Sequence, residues 1–150
     1  MTRNTIHGIF SLLILAAAAV VATLAILQTS VIWAVLYLIG LFLSALVMIY
    51  SFCTKCPCRK GGCRHVIPGK LTRFFPARQE GPYTFWDRSG VVVPIVFFIV
   101  FPQYWLLQHP VYLYAFVALC LVAAADIQFF VCRGCGNRFC PFFQGELGKE

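Results

Sequence analysis

Residues 31–63 read VIWAVLYLIGLFLSALVMIY-SFCTKCPCRKGGC: a run without a single charge, then a polar segment dense in cysteine and base. A helix needs about 20 apolar residues to cross a hydrocarbon core of about 30 Å, and 31–50 supplies them. The same pattern recurs. Residues 8–27 are uncharged, and 91–108 and 111–131 hold one charge between them, Asp126. Backbone in lipid has to satisfy its own hydrogen bonds, so such runs are helical. The chain is 61% hydrophobic with a mean hydropathy of +0.83, against about 45–50% apolar for globular chains. A soluble helical bundle would need polar faces that these runs lack. The expectation is an all-α membrane protein with four transmembrane helices. They would form two antiparallel hairpins, 8–50 and 91–131, because the turns at 28–30 and 109–110 are very short.

Charge fixes an expected orientation. Arg3 precedes the first run. Lys55, Arg59, Lys60, Arg64, Lys70, Arg73, Arg78 and Arg88 lie in the connection 51–90, and Arg133, Arg138 and Lys149 in the tail 132–150. All 12 bases thus fall on one side of the four runs. The positive-inside rule makes that side cytosolic, with both termini there, in the cell membrane. The net charge of +7 is accounted for by this bias and by attraction to anionic inner-leaflet lipids, without nucleic acid. The first run exceeds the 7–15 residues of a signal-peptide core, so it is read as a span.

Seven of the eight cysteines lie in the two polar segments on that side. Cys53, Cys56, Cys58 and Cys63, with His65, follow the second run; Cys132, Cys135 and Cys140 follow the fourth. Cytosolic thiols stay reduced, so clustered pairs there point to metal rather than disulfides. A two-residue gap lets one tight turn aim two sulfurs at one ion. Gly61, Gly62, Gly134 and Gly136 offer the backbone freedom for it. The neighbouring bases are expected to lower the thiol pKa values. Eight donors suffice for two four-coordinate sites, with zinc as the expected metal.

Cys132-Arg-Gly-Cys135-Gly136 resembles the knuckle of rubredoxin and zinc-ribbon proteins, and Cys56-Pro-Cys58 with Cys63 is similar to the zinc-binding cysteine tail of SET methyltransferases. Both resemblances imply zinc and cover only these motifs. Cys140-Pro141 resembles the end of a bacterial ferredoxin run, which implies an iron–sulfur cluster. The spacing departs from that pattern: no cysteine lies between Cys135 and Cys140.

Closed four-ligand shells leave no position for water activation. The expected function is therefore a scaffold or docking subunit, for a cytosolic protein or within a membrane complex, its loop and tail joined by structural zinc. The alternatives are an iron–sulfur electron-transfer subunit and soft-metal transport or thiol relay, in which Cys120 inside the fourth run would take part. No nucleophile–base pair, phosphate loop or carboxylate pair suggests catalysis. Asp126 is expected to pair with Arg88 or Arg133. His7 and His109 read as interface residues. Pro94 and Pro102 are expected to bend the third run. Close helix contact is expected at Gly40 and Ser44, at Ala115, Ala118 and Ala125, and along the first run's alanines. Residues 70–75 are expected to lie on the inner leaflet.

Overall fold

A computed structural model describes residues 3–60, 63, 66–76, 78–135, 137, 139 and 140, with the side chains of 3–5, 59, 60, 66 and 134 left aside. His65, with Gly61, Gly62, Arg64, Gly136, Arg138 and Pro141, lies outside the described residues. All regular structure among the described residues is helical: α1 (Arg3–Leu27), α2 (Val31–Ser51), α3 (Val66–Leu71), α4 (Phe85–Val100), α5 (Gln103–Leu106) and α6 (Pro110–Asp126). Short 3₁₀ turns flank them, and a π-helical turn, Ile127–Val131, continues α6.

Four stretches are long and apolar enough to cross a membrane: Ile6–Leu27, Val31–Lys55, Phe85–Leu106 and Pro110–Val131. Their outward faces support the same conclusion. Ile32, Phe42, Val93, Val111 and Leu121 are among many large apolar side chains left exposed, far more than a water-soluble surface tolerates. This is a membrane protein.

The buried seam of α1 is Ser11, Ile14, Ala18, Ala22 and Ala25, steps of three and four that mark one helix face. Its alanines let α6 approach closely, and α1–α6 and α2–α4 are the tightest helix pairs, followed by α1–α2. Helices α4 and α6 meet through side chains, with the Phe98 and Phe116 rings 5.6 Å apart. The close pairings are therefore not simply those of sequence neighbours. On α6 the buried positions are Phe116, Ala123 and Asp126; Ala118 and Ala125 are exposed. Residues 116 and 123 are a heptad apart, so the face toward α1 is set by them and not by the other alanines. Gly40 does work as expected, since an added Cβ there would collide with the Phe97 ring of α4.

The third run begins at Phe85 rather than 91. Thr84 caps α4: its hydroxyl oxygen accepts from the Asp87 amide, and Asp87 accepts from the Thr84 amide at 2.9 Å, a reciprocal pair that satisfies orphan donors. Asp87 is 2% exposed and also accepts from Lys55 Nζ at 2.9 Å and Arg78 Nη1 at 2.7 Å. Lys55 donates in addition to the Pro82 carbonyl at 2.7 Å, so one carboxylate ties the end of α2 to the start of α4. Pro94 sits within α4 without ending it, whereas the chain turns at Phe101–Pro102 and resumes as α5.

Asp87→Ala strands Lys55 and Arg78 beside a buried gap. A loss of about 3 kcal/mol is expected, the lower end for breaking a buried pair, because the arginine retains access to solvent. Denaturation in mixed detergent micelles measures it, and a loss under about 0.5 kcal/mol, as for ordinary surface substitutions, would show that the ties are idle.

Candidate metal-thiolate site

Each cysteine segment starts where a helix must stop. Beyond Ser51 the chain enters a 3₁₀ turn, Cys53–Lys55, closed by the Cys56 amide donating to the Cys53 carbonyl at 3.2 Å. Beyond the π turn it enters a second, Cys132–Gly134, closed by the Cys135 amide on the Cys132 carbonyl at 3.1 Å. The residue after each turn is extended: Cys56 at φ −72°, ψ 127° and Cys135 at φ −74°, ψ 130°. The two Cys-x-x-Cys motifs thus share one backbone conformation although the surrounding sequences differ. A third small turn, with the Cys140 amide on the Asn137 carbonyl at 3.2 Å, follows in the tail.

The segments meet across Tyr83. Its ring stacks on Phe52 with centroids 4.0 Å apart, and its hydroxyl donates to the Phe52 carbonyl at 3.4 Å. That hydroxyl accepts from Asn137 Nδ2 at 2.7 Å, while Asn137 Oδ1 accepts from the Phe139 amide at 3.1 Å. Asn137 is 2% exposed, so loop and tail are joined by a buried hydrogen bond. The phenol also lies close enough to Cys53, Cys56 and Cys140 to feel their charge.

The thiols divide by proximity. Cys53, Cys56 and Cys63 interact with one another, and Cys132 with Cys135 and Cys140. Cys58 lies within hydrogen-bonding reach of both Cys56 and Cys135, and Cys56 is itself close enough to Cys135 to feel its charge, so the two groups adjoin. Helix α3 closes against Cys63: a Cβ added to Gly69 would stand 2.9 Å from the Cys63 Cβ and 3.0 Å from its Sγ. No disulfide joins the eight cysteines. Among the described residues no three His, Cys, Asp or Glu side chains are arranged to enclose one ion. Of the expected donors, the seven cysteines are gathered at one end of the bundle, and His65 lies outside the described residues.

Burial pushes the Cys58 thiol up to about 12, with Cys56 and Cys135 pushing the same way. Burial raises Cys132 to about 11, helped by Cys140 and Cys135. Cys56 is raised as well, chiefly by burial and in spite of a backbone hydrogen bond at Cys58. The expected lowering by neighbouring bases is therefore reversed: Lys55 and Arg78 spend their charge on Asp87, and thiolates packed together repel. Tyr83 is raised too, by burial, against the opposing hydrogen bond from Asn137. Raised thiols are poor nucleophiles at neutral pH, which argues against a fast thiol relay.

Sequence inspection missed Tyr83, Asn137 and the Thr84–Asp87 box. Only the last had a local signal, a threonine three residues before an acid at the start of an apolar run. Cys120 packs at the edge of the bundle core, away from the seven. The chain matches no protein-family model, no curated protein and no solved structure.

Two outcomes are expected. Tyr83→Phe leaves the Asn137 amide buried without its acceptor, a cost of about 1–3 kcal/mol, and maleimide labelling of Cys135 and Cys140 should accelerate several-fold while Cys120 is unaffected. Unchanged labelling would mean that the hydroxyl does not hold the tail. In metal-free protein, Cys58 and Cys132 ionise only above the usual thiol value of about 8.5, so their alkylation should keep rising as pH passes it. A plateau near that value would contradict the burial.

Proposed function

We propose that this is a four-span protein of the cell membrane, its spans joined by short turns into two antiparallel hairpins that pack against each other through α1–α6 and α2–α4, with both termini and all seven segment cysteines in the cytosol, and that zinc bound by those cysteines pins the loop to the tail. The assembled platform acts as a scaffold or docking subunit for a cytosolic protein or a larger membrane complex. The observation that carries this reading is the approach of Cys58 to Cys135 beside two Cys-x-x-Cys turns of the same conformation. Turns of this form place paired sulfurs for one ion. Zinc would replace the thiol protons and supply the structural link between loop and tail. Cys53, Cys56 and Cys63 would hold one ion and Cys132, Cys135 and Cys140 another, with Cys58 and His65 as the remaining candidate donors. The twelve bases fall in the segments assigned to the cytosol, a bias that sets the orientation and favours anionic inner-leaflet lipids.

An iron–sulfur cluster is the second reading, favoured by the count of thiols and by the Cys140-Pro141 ending. Protein purified without oxygen separates the two. Zinc predicts a colourless preparation with one or two zinc per chain, and Cys58→Ser together with Cys135→Ser losing metal. A brown preparation with iron and sulfide would replace zinc by the cluster, and protein free of both would remove the metal reading. Because binding displaces thiol protons, zinc affinity should rise with pH; pH-independent affinity would mean that the ligands are not these thiols.

A further inference from the structure

Helices α2 and α4 close on each other at two points and part between them. At one, the Phe97 ring of α4 fills the place where a Cβ would stand on Gly40. At the other, the Ser51 side chain of α2 lies against Gly90 of α4, with Val47 beside it. Between these contacts Leu43, Ser44, Val93 and Pro94 line an apolar groove of about 280 Å³. The short Ser44 side chain and the Pro94 ring, drawn back onto its own backbone, leave the gap, and Leu43 and Val93 stand exposed at its edges.

The groove leads to the basic end of the bundle. Asp87 lies one turn before Gly90 on α4, and it pairs with Lys55, just beyond the end of α2, at 2.9 Å and with Arg78 at 2.7 Å. Two cations on one carboxylate leave a net positive charge. Arg78 lies over the ring of Tyr50, one turn past Val47, and 31% of its side chain is still exposed. Arg88, next to Asp87, is exposed as well. Across residues 51–90 eight bases stand against two acids, Glu80 and Asp87.

Length argues for the same kind of occupant as charge does. The ten residues from Asp87 to Phe97 rise about 15 Å at about 1.5 Å each, half of a hydrocarbon core of about 30 Å and so the depth of one leaflet. A partner helix is about 10 Å wide and packs along a continuous seam of small residues. A gap closed by Phe97 at one end and Ser51 at the other suits a single flexible chain instead.

We infer that this groove binds one acyl chain of an anionic phospholipid, whose phosphate rests on Arg78 at the basic end. Arginine and phosphate form strong charge-assisted hydrogen bonds, and the chain fills a gap that would otherwise lack packing partners. The site needs the spans and their basic end, and it stands with or without metal at the cysteines.

The full-length protein, reconstituted in phosphatidylcholine vesicles, tests this with two trace probes, phosphatidylglycerol and phosphatidylcholine. Both carry the same chains, with a photoactivatable diazirine midway along one, and adducts are mapped by peptide mass spectrometry. Adducts of the phosphatidylglycerol probe should concentrate several-fold on 43–47 and 93–97, while those of the phosphatidylcholine probe spread over all four spans. Ser44→Leu fills the groove without touching the charged cluster, and it should lower the concentrated adducts several-fold while leaving the others unchanged. An even spread of the anionic probe, or equal concentration of both probes, overturns the site in wild-type protein, even should the variant fail to fold. Adducts missing from both stretches, in a dimer that Ser44→Leu dissociates, would give the groove to a second copy of the chain and overturn it equally.

Discussion

Backbone amides and carbonyls inside a bilayer find no water, and this single constraint organises the molecule. Every stretch of irregular backbone has to lie at an end of the bundle. The connections between α1 and α2, and between α5 and α6, are too short to hold anything but a turn. The chemistry-bearing segments are consequently left to the other end, where α2 stops, α4 starts and the π turn runs out. Cysteines from opposite halves of the chain, Cys56 and Cys58 with Cys135, meet there because the helices are of matched length and the bundle has no other place for them.

What happens at that end is decided by burial more than by charge. The bases are numerous, yet those with defined partners serve the scaffold: Lys55 and Arg78 converge on Asp87, and Arg78 also lies over the Tyr50 ring at 5.4 Å. Burial favours the protonated form of Cys56, Cys58 and Cys132. Protonated thiols are sluggish in redox exchange, and the proposed metal would offset, through several thiolates at once, the desolvation that a lone thiolate cannot.

The spans were legible in the hydropathy pattern because lipid imposes a length and a composition on each of them. The end of α1 at Leu27 and the start of α2 at Val31 coincide with expectation. The start of α4 does not, because a charge-free window stops short of Asp87 and Arg88, which the Thr84 cap brings inside the helix. The gathering of the two cysteine segments was legible from topology. Their link through Tyr83 and Asn137 was not, since neither residue carries a local signature. Asp126 illustrates the limit most plainly. The bases expected at the same interface, Arg88 and Arg133, suggested one kind of partner, and only the packing of α1 on α6, set by Ala18, Ala22 and Ala123, delivers His7 instead. The exposed Ala118 and Ala125 teach the same point, since small residues permit close contact without choosing its direction.

The central claim is that loop and tail thiols meet on one face of the membrane. It is tested most directly in a chain that keeps only Cys58 and Cys135, oxidised in sealed vesicles with a copper–phenanthroline catalyst and read by mass spectrometry of the joined peptides. The account predicts a rapid intramolecular disulfide, together with labelling of both thiols by a membrane-impermeant reagent from one side only. Failure to form the bridge, or labelling of the two thiols from opposite sides, would contradict it.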